Sequence, residues 1–350
     1  MIKVLIVDDS KVSRELITYI LNSDPKIEVI GTAENGEMAL HAIQRLKPDV
    51  VTMDIHMPLM NGFDATRAIM ETSPVPIIIV SGSFNSQDNS KAFKALEAGA
   101  LAVLKKPRGL NNDGYNVVAN ELIQYVKTMS EVKVVKRSKL YRTGAHPLPH
   151  LSEIEKVKPK EIKAIAIGAS TGGPFILQKI FRALPKDLPV PVIVVQHMST
   201  GFMESFLQWL SSTTGFKFKV AFHGDHPLPG FAYFAPDNYH IQIGPDQTFV
   251  LTYEKPGNGH CPSVSKLFKS MADSYGANAL GVILTGMGRD GAKELLLMRE
   301  QGAVTVAQDA ESAVINGMPG EAVNLGAVEF VLDPDEIVVL IKKLVDPDLL

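Results

Sequence analysis

Short, uninterrupted apolar runs recur along this chain, separated by stretches in which apolar residues return every three or four positions. Over residues 1–128 the runs are IKVLIV (2–7), IEVIGTA (27–33), DVVTM (49–53), VPIIIV (75–80) and LAVL (101–104). Such runs suit strands buried on both faces, and the intervening SRELITYILN and EMALHAIQRL have helical spacing. Strands alternating with helices predict a parallel, doubly wound sheet. From residue 162 the alternation resumes with IKAIAIG, PVIVVQ, LGVILT, AVTVA and VEFVL. Within it AYFAP, HIQIG and TFVLTY, joined by Pro/Asp/Asn/Gly clusters, predict a small antiparallel insertion. Residues 129–161 break the rhythm; they are lysine-rich, carry prolines and have no sustained period. They read as a solvated linker, with a basic binding patch as the competing reading. The prediction is an α/β chain with two doubly wound parallel-sheet domains, 1–128 and 162–350, joined by the 129–161 linker.

Bulk properties narrow the function. A length of 350 residues suits two full domains, and 45% hydrophobic with 21% charged residues is an ordinary globular balance. A net charge of −3 offers no basic face for nucleic acid. The single cysteine, Cys261, rules out an intrachain disulfide and a cysteine-rich metal site, and fits a reducing compartment. MIKVLIVDDS turns acidic within eight residues, and no run approaches the roughly 18 apolar residues of a membrane span. A soluble cytoplasmic protein with no membrane insertion is expected.

Candidate chemistry lies at strand ends. The first strand runs into Asp8 and Asp9 and the third into Asp54. In an open parallel sheet, groups at the carboxyl ends of strands meet in one crevice. Three converging carboxylates repel unless a cation lies among them, and a hard oxygen-seeking ion such as Mg²⁺ suits that donor set. The fourth strand is followed by Ser81 and the fifth by Lys106, a hydroxyl and an ammonium able to neutralise a phosphoryl group on Asp54. The competing reading, that each Asp caps a turn or helix, explains single positions and not five such positions at four strand ends together.

The second domain opens on KAIAIGASTGGP (163–174). A phosphate-binding Walker loop needs a Gly-Lys-Ser/Thr ending that is missing, and the glycines of a dinucleotide fingerprint are misplaced. Gly168-Ala169-Ser170-Thr171-Gly172 does match a Gly-x-Ser-x-Gly turn that presents a serine, although serine is also a common helix cap. A serine nucleophile needs a base. Of nine histidines, His41 and His56 lie in the first domain and His146 and His150 in the linker. His223, His226, His240 and His260 fall in polar loops or the antiparallel insertion, and only His197 directly follows an apolar strand, PVIVVQ. LGVILT leads to Asp290, an orienting carboxylate for His197 or else a helix cap. The order Ser…His…Asp differs from that of α/β-hydrolases.

Two resemblances cover the chain. VDDS, MDIHMP, VSGS and KKP over residues 1–125 are similar to the receiver domain of two-component response regulators, a flavodoxin-like fold. The resemblance implies that Asp54 accepts a phosphoryl group from a histidine kinase, with Asp8, Asp9 and Asp54 holding Mg²⁺ and Ser81 and Lys106 contacting the phosphoryl group. Receivers often carry an aromatic switch residue where Val103 stands. IGASTGGP, VVQHM, AYFAPDNYHI, PSV, GVILTGMGRDGA, AQD and GMP over residues 162–345 resemble the chemotaxis protein-glutamate methylesterases, the CheB family, with a Rossmann-like catalytic domain. That implies attack by Ser170 on γ-glutamyl methyl esters of methyl-accepting chemoreceptors, with His197 as base and acid and Asp290 orienting it. It also implies Thr171 and Met287 as active-site lining and, in many members, glutamine deamidation. Cys261 stands where the family commonly has arginine. A receiver joined to a hydrolase further implies control through interdomain packing, the unphosphorylated receiver obstructing the Ser170 cleft.

Two other classes compete. A transcriptional regulator would end in a basic helix-turn-helix, which the α/β half and the charge oppose. A pure phosphate-binding module would leave the Ser/His/Asp set without a purpose.

Overall fold

The computed structural model describes residues 1–82, 93–107, 109, 115–132, 134, 154, 156–157, 160–254 and 261–346. Most of the predicted 129–161 linker, with His146 and His150, lies outside the described residues, as does His260. The chain divides into two compact units, taken here in turn.

The first unit holds β1 (Ile2–Val7), β2 (Ile27–Ala33), β3 (Val50–Met53), β4 (Ile77–Ser81) and β5 (Ala102–Lys105). They form one five-stranded sheet in the order β2-β1-β3-β4-β5, and every pairing is parallel. β3 and β4 are buried along their whole length, as continuous apolar runs require when helices cover both faces. Helix starts follow local capping chemistry. Ser10, Asn35 and Asn61 each accept a backbone N–H three residues on, opening the helices Lys11–Asn22, Gly36–Leu46 and Gly62–Thr72. Each helix turns an apolar stripe to the sheet, with Ile17, Ile20 and Leu21 buried on the first. Strand order reverses between β1 and β3, which opens a crevice where their carboxyl ends part.

The second unit contains a seven-stranded sheet, β14-β13-β12-β6-β7-β9-β8, again parallel at every pairing. Its strands are β6 (Ala164–Ala169), β7 (Val192–Gln196), β8 (Lys217–Val220), β9 (Phe231–Phe234), β12 (Ala279–Ile283), β13 (Val304–Gln308) and β14 (Phe330–Leu332). β10 (Tyr239–Ile243) and β11 (Phe249–Tyr253) form a separate antiparallel pair. Strand order reverses between β6 and β12. A core of Ile241, Ile243, Phe249, Val264, Leu267, Phe268, Met271, Leu295 and Met298 joins that pair to the helices Val264–Tyr275 and Ala292–Glu300. Truncating a fully buried aromatic there, such as Phe268, costs about 3–5 kcal/mol in transfer and cavity terms.

One expectation is corrected. AYFAP does not belong to the antiparallel insertion: FAYF is β9, a parallel strand between β7 and β8. The pattern misleads because the β8–β9 connection, residues 221–230, contains no helix, and a crossover without one does not announce a parallel pair. The burial of Ala232, Tyr233 and Phe234 is that of an interior parallel strand. β8 went unpredicted. Lys217 and Lys219 on its exposed face belong to an edge strand, where charge discourages pairing with another chain.

Candidate functional site

The first crevice concentrates charge. Asp8 N–H donates to the Ala33 carbonyl at 3.0 Å and Asp54 N–H to the Val7 carbonyl at 2.8 Å, so both aspartates extend the sheet ladder by one residue. Gly62 lets the following helix start against Asp54; a Cβ there would lie 2.0 Å from the Asp54 carbonyl oxygen. Carboxylate oxygens of Asp8, Asp9 and Asp54 all lie within 4.8 Å of one another. Asp8 and Asp54 are buried and Asp9 is exposed. Lys106 Nζ stands 2.7 Å from Oδ2 of both Asp8 and Asp54. Burial pushes the Asp8 carboxyl up, and the Lys106 bond and charge offset this only in part. Burial acts to lower the Lys106 ammonium, but Asp54 and then Asp8 outweigh it and hold the group above its usual range. Ser81 is buried at the end of β4, and its carbonyl accepts the Lys106 N–H at 2.8 Å. Val103 is half-buried in β5.

The second crevice is built around a neutral hydroxyl. β6 and β7 are in register at Ala169 and Gln196, and His197 N–H continues the ladder to the Ala169 carbonyl at 2.9 Å. Ser170 and His197 are thus the next residues past a paired position on neighbouring strands. On the other side Ser170 N–H donates to the Thr285 carbonyl at 3.0 Å, extending the β6–β12 pairing. Gly172, at φ +80, turns the chain from strand into the helix Gly173–Ala183, with Pro174 in its first turn. Gly286 admits Ser170: a Cβ there would lie 2.7 Å from the serine Cβ and 2.5 Å from Met318 Sδ. Ser170 and Thr171 are buried, and Met287 is half-buried next to Gly286.

His197 and Asp290 meet. His197 Nε2 is 3.0 Å from Asp290 Oδ2. The Asp290 carboxylate also takes the N–H groups of Val264 at 2.7 Å and Ser265 at 3.0 Å, and the Ser263 hydroxyl at 3.0 Å. These are the cap and first turn of the helix Val264–Tyr275, so the carboxylate rests on a helix N-terminus. Burial acts to raise the Asp290 carboxyl, but the His197 bond and charge, with Ser265, overcome it and hold the group well below the usual carboxylate range. Cys261 is half-buried, and burial, then the Glu254 charge, push its thiol up, away from thiolate chemistry.

Four supporting residues are not marked by the sequence. Gln196 Nε2 donates at 2.8 Å to the carbonyls of both Ser170 and His197, clamping the two strand ends together. Its signal was a glutamine closing an otherwise apolar strand. Thr285 Oγ1 donates to the Thr171 carbonyl at 2.9 Å and accepts the Ile315 N–H at 2.9 Å. Ser263 and Ser265 were visible only as helix-capping residue types, with nothing in the sequence to connect them to Asp290.

Residues 165–341 match the family model of the CheB methylesterase, and residues 4–112 that of the response regulator receiver domain. The chain belongs to the CheB methylesterase family. A protein-glutamate methylesterase/protein-glutamine glutaminase of Nitrosospira multiformis is 49% identical over 348 residues, covering 99% of this chain and 97% of the relative. One from Geobacter metallireducens is 50% identical over 345 residues, covering 98% and 99%. The CheB methylesterase catalytic domain of Thermotoga maritima, a crystal structure, aligns over 52% of this chain and 99% of its own length, with 36% identity and a TM-score of 0.50. This family member pairs a receiver domain with a methylesterase domain. Among the described residues no helix is long and apolar enough to cross a membrane.

Proposed function

We propose that the protein is a receiver-regulated protein-glutamate methylesterase that hydrolyses γ-glutamyl methyl esters on methyl-accepting chemoreceptors and deamidates selected receptor glutamines. Its domains are a receiver at 1–128, a linker at 129–161 and a catalytic domain at 162–350, acting in the cytoplasm in chemotactic adaptation. The observation that carries the reading is the His197–Asp290 bond beside the strand end that bears Ser170.

Ser170 Oγ attacks the ester carbonyl while His197 takes its proton. Because Asp290 engages Nε2, the proton moves through Nδ1. The imidazolium is stabilised by Asp290, whose other oxygen is held by Ser263 and Ser265. His197 then protonates methoxide, methanol leaves, and water drawn onto the acyl-serine by the same base releases the glutamate and Ser170. On a glutamine substrate the leaving group is ammonia. Thr171 and Met287 line the cleft against the receptor side chain.

In the receiver, Asp54 takes the phosphoryl group of a histidine kinase's phosphohistidine. Lys106 balances the added charge and Ser81 donates to its oxygens. The oxygen-only donor set of Asp8, Asp9 and Asp54 fits Mg²⁺, which when bound supplies charge neutralisation at the acceptor carboxylate.

The test is methanol release from methylated receptor by the purified full-length protein, with and without a small-molecule phosphodonor and Mg²⁺. Release that rises with phosphodonor is expected; no release under either condition overturns the reading.

A further inference from the structure

Behind Asp290 lies a second histidine–carboxylate pair. His240, on β10, is 1% exposed, and its Nδ1 accepts the Ser263 backbone N–H at 3.1 Å. A backbone N–H only donates, so Nδ1 carries a lone pair and the ring proton resides on Nε2, which donates to the Glu254 carboxylate. Lys266 Nζ reaches the same Glu254 oxygen at 3.0 Å. That ammonium first, and the imidazole after it, hold the Glu254 carboxyl below its usual range. Ser263 caps the helix Val264–Tyr275, and its hydroxyl donates to Asp290 Oδ1 at 3.0 Å. The next two backbone N–H groups grip the same carboxylate, which in turn engages His197 Nε2. An unbroken hydrogen-bonded path therefore runs from Glu254 through His240 and Ser263 to Asp290 and the base.

Packing alone does not call for histidine here. Burial alone is met along this strand by aliphatic residues, Ile241 and Ile243, both in the apolar core. What the imidazole adds is a fixed acceptor for the cap residue, oriented from its far side by a charged partner. The geometry points to His240 as a positioning residue for the hydrolysis: through Ser263 it holds the helix N-terminus, and with it Asp290, in register with His197. This rests on the esterase reading above.

Two near-isosteric variants separate the roles. His240→Asn keeps an acceptor where Nδ1 stands and gives up the Glu254 bond. His240→Gln keeps a donor toward Glu254 and leaves the Ser263 N–H without its acceptor. For His240→Gln, kcat for methanol release should fall about tenfold or more with KM within about twofold, while His240→Asn stays within about threefold of wild type, the range typical of groups that orient a functional side chain. Both should lower the thermal midpoint similarly, so a purely structural role predicts equal losses. Equal kcat in the two variants, or a change confined to KM, overturns the proposal. Side-chain nitrogen shifts of the wild-type protein give a reading independent of either variant's folding. The neutral Nε2–H tautomer at His240 supports the proposal, and an Nδ1–H tautomer or an imidazolium at neutral pH overturns it. A wild type that incorporates phosphate yet releases no methanol overturns the esterase reading and this proposal with it. An active wild type matched by His240→Gln overturns the positioning role alone.

Discussion

The two crevices of this protein stand at equivalent places in two parallel sheets, yet they gather opposite kinds of groups. Each lies where strand order reverses, between β1 and β3 in one sheet and between β6 and β12 in the other. In the first, three carboxylates and an ammonium share a few ångströms, and the like charges are only partly balanced. In the second, one carboxylate is fully committed to a helix N-terminus and an imidazole, and the neighbouring strand end carries the neutral hydroxyl of Ser170. Topology supplies the cleft; the charge left over at the strand ends selects its chemistry. A surplus of negative oxygen suits a hard cation and a phosphoryl acceptor, and a satisfied carboxylate suits a base that must turn cationic in the transition state.

Reciprocal substitutions give the largest separation. Ser170→Ala should reduce methanol release by on the order of 10⁴-fold or more while full-length protein still incorporates phosphate from a phosphodonor. Asp54→Asn should abolish phosphate incorporation and leave basal methanol release unchanged. Loss of both activities in either variant breaks the separation of the two chemistries. Next comes Asp290→Asn. The N–H groups of Val264 and Ser265 would then face an amide, and kcat should drop about 10³- to 10⁴-fold with the protein still folded by circular dichroism.

The two glycines that let each crevice close make a matched pair of smaller size. Gly286→Ala drives a Cβ to 2.7 Å from that of Ser170 and Gly62→Ala one to 2.0 Å from the Asp54 carbonyl. Each should destabilise by about 1–3 kcal/mol in denaturant titration. Gly286→Ala should weaken the esterase alone and Gly62→Ala phosphorylation alone; a reversed pattern breaks the comparison.

The smallest effect is a pH contrast. The Asp290 carboxyl is lowered on folding, so its contribution is present above the ordinary value of about 4 and is lost as pH falls below it. The Asp8 carboxyl is raised on folding, so its contribution is present below about 4 and is lost as pH rises through its folded value. Between pH 5 and 3, hydrogen-exchange protection corrected for intrinsic rates should fall more around Asp290 than around Asp8. An equal fall would sink the contrast.

Much of this was legible in the chain itself. The first-domain runs at 2–7 and 27–33 coincide with β1 and β2, because strands buried on both faces leave an unbroken apolar signature. Strand-end placement brought Asp8, Asp9 and Asp54 together on paper, and the structure brings their oxygens together in space. The failures share a cause. β9 was assigned to the wrong sheet, since a strand's partner depends on the path of a helix-free connection that periodicity does not encode. Gln196 and Ser263 looked like a strand-end amide and an ordinary helix cap, and their roles arise only from what lies opposite them.

Residue types and their order were enough to determine two doubly wound sheets and to place Asp54 in an acidic crevice and Ser170, His197 and Asp290 as candidates beyond strand ends, because alternation and strand-end chemistry are local properties. Tertiary structure alone decided which imidazole nitrogen meets Asp290, that a helix N-terminus satisfies the rest of that carboxylate, and that His240 backs the cap residue. Those are contacts between segments 14 to 93 residues apart, set by how the strands and helices pack and not by any neighbour in the chain.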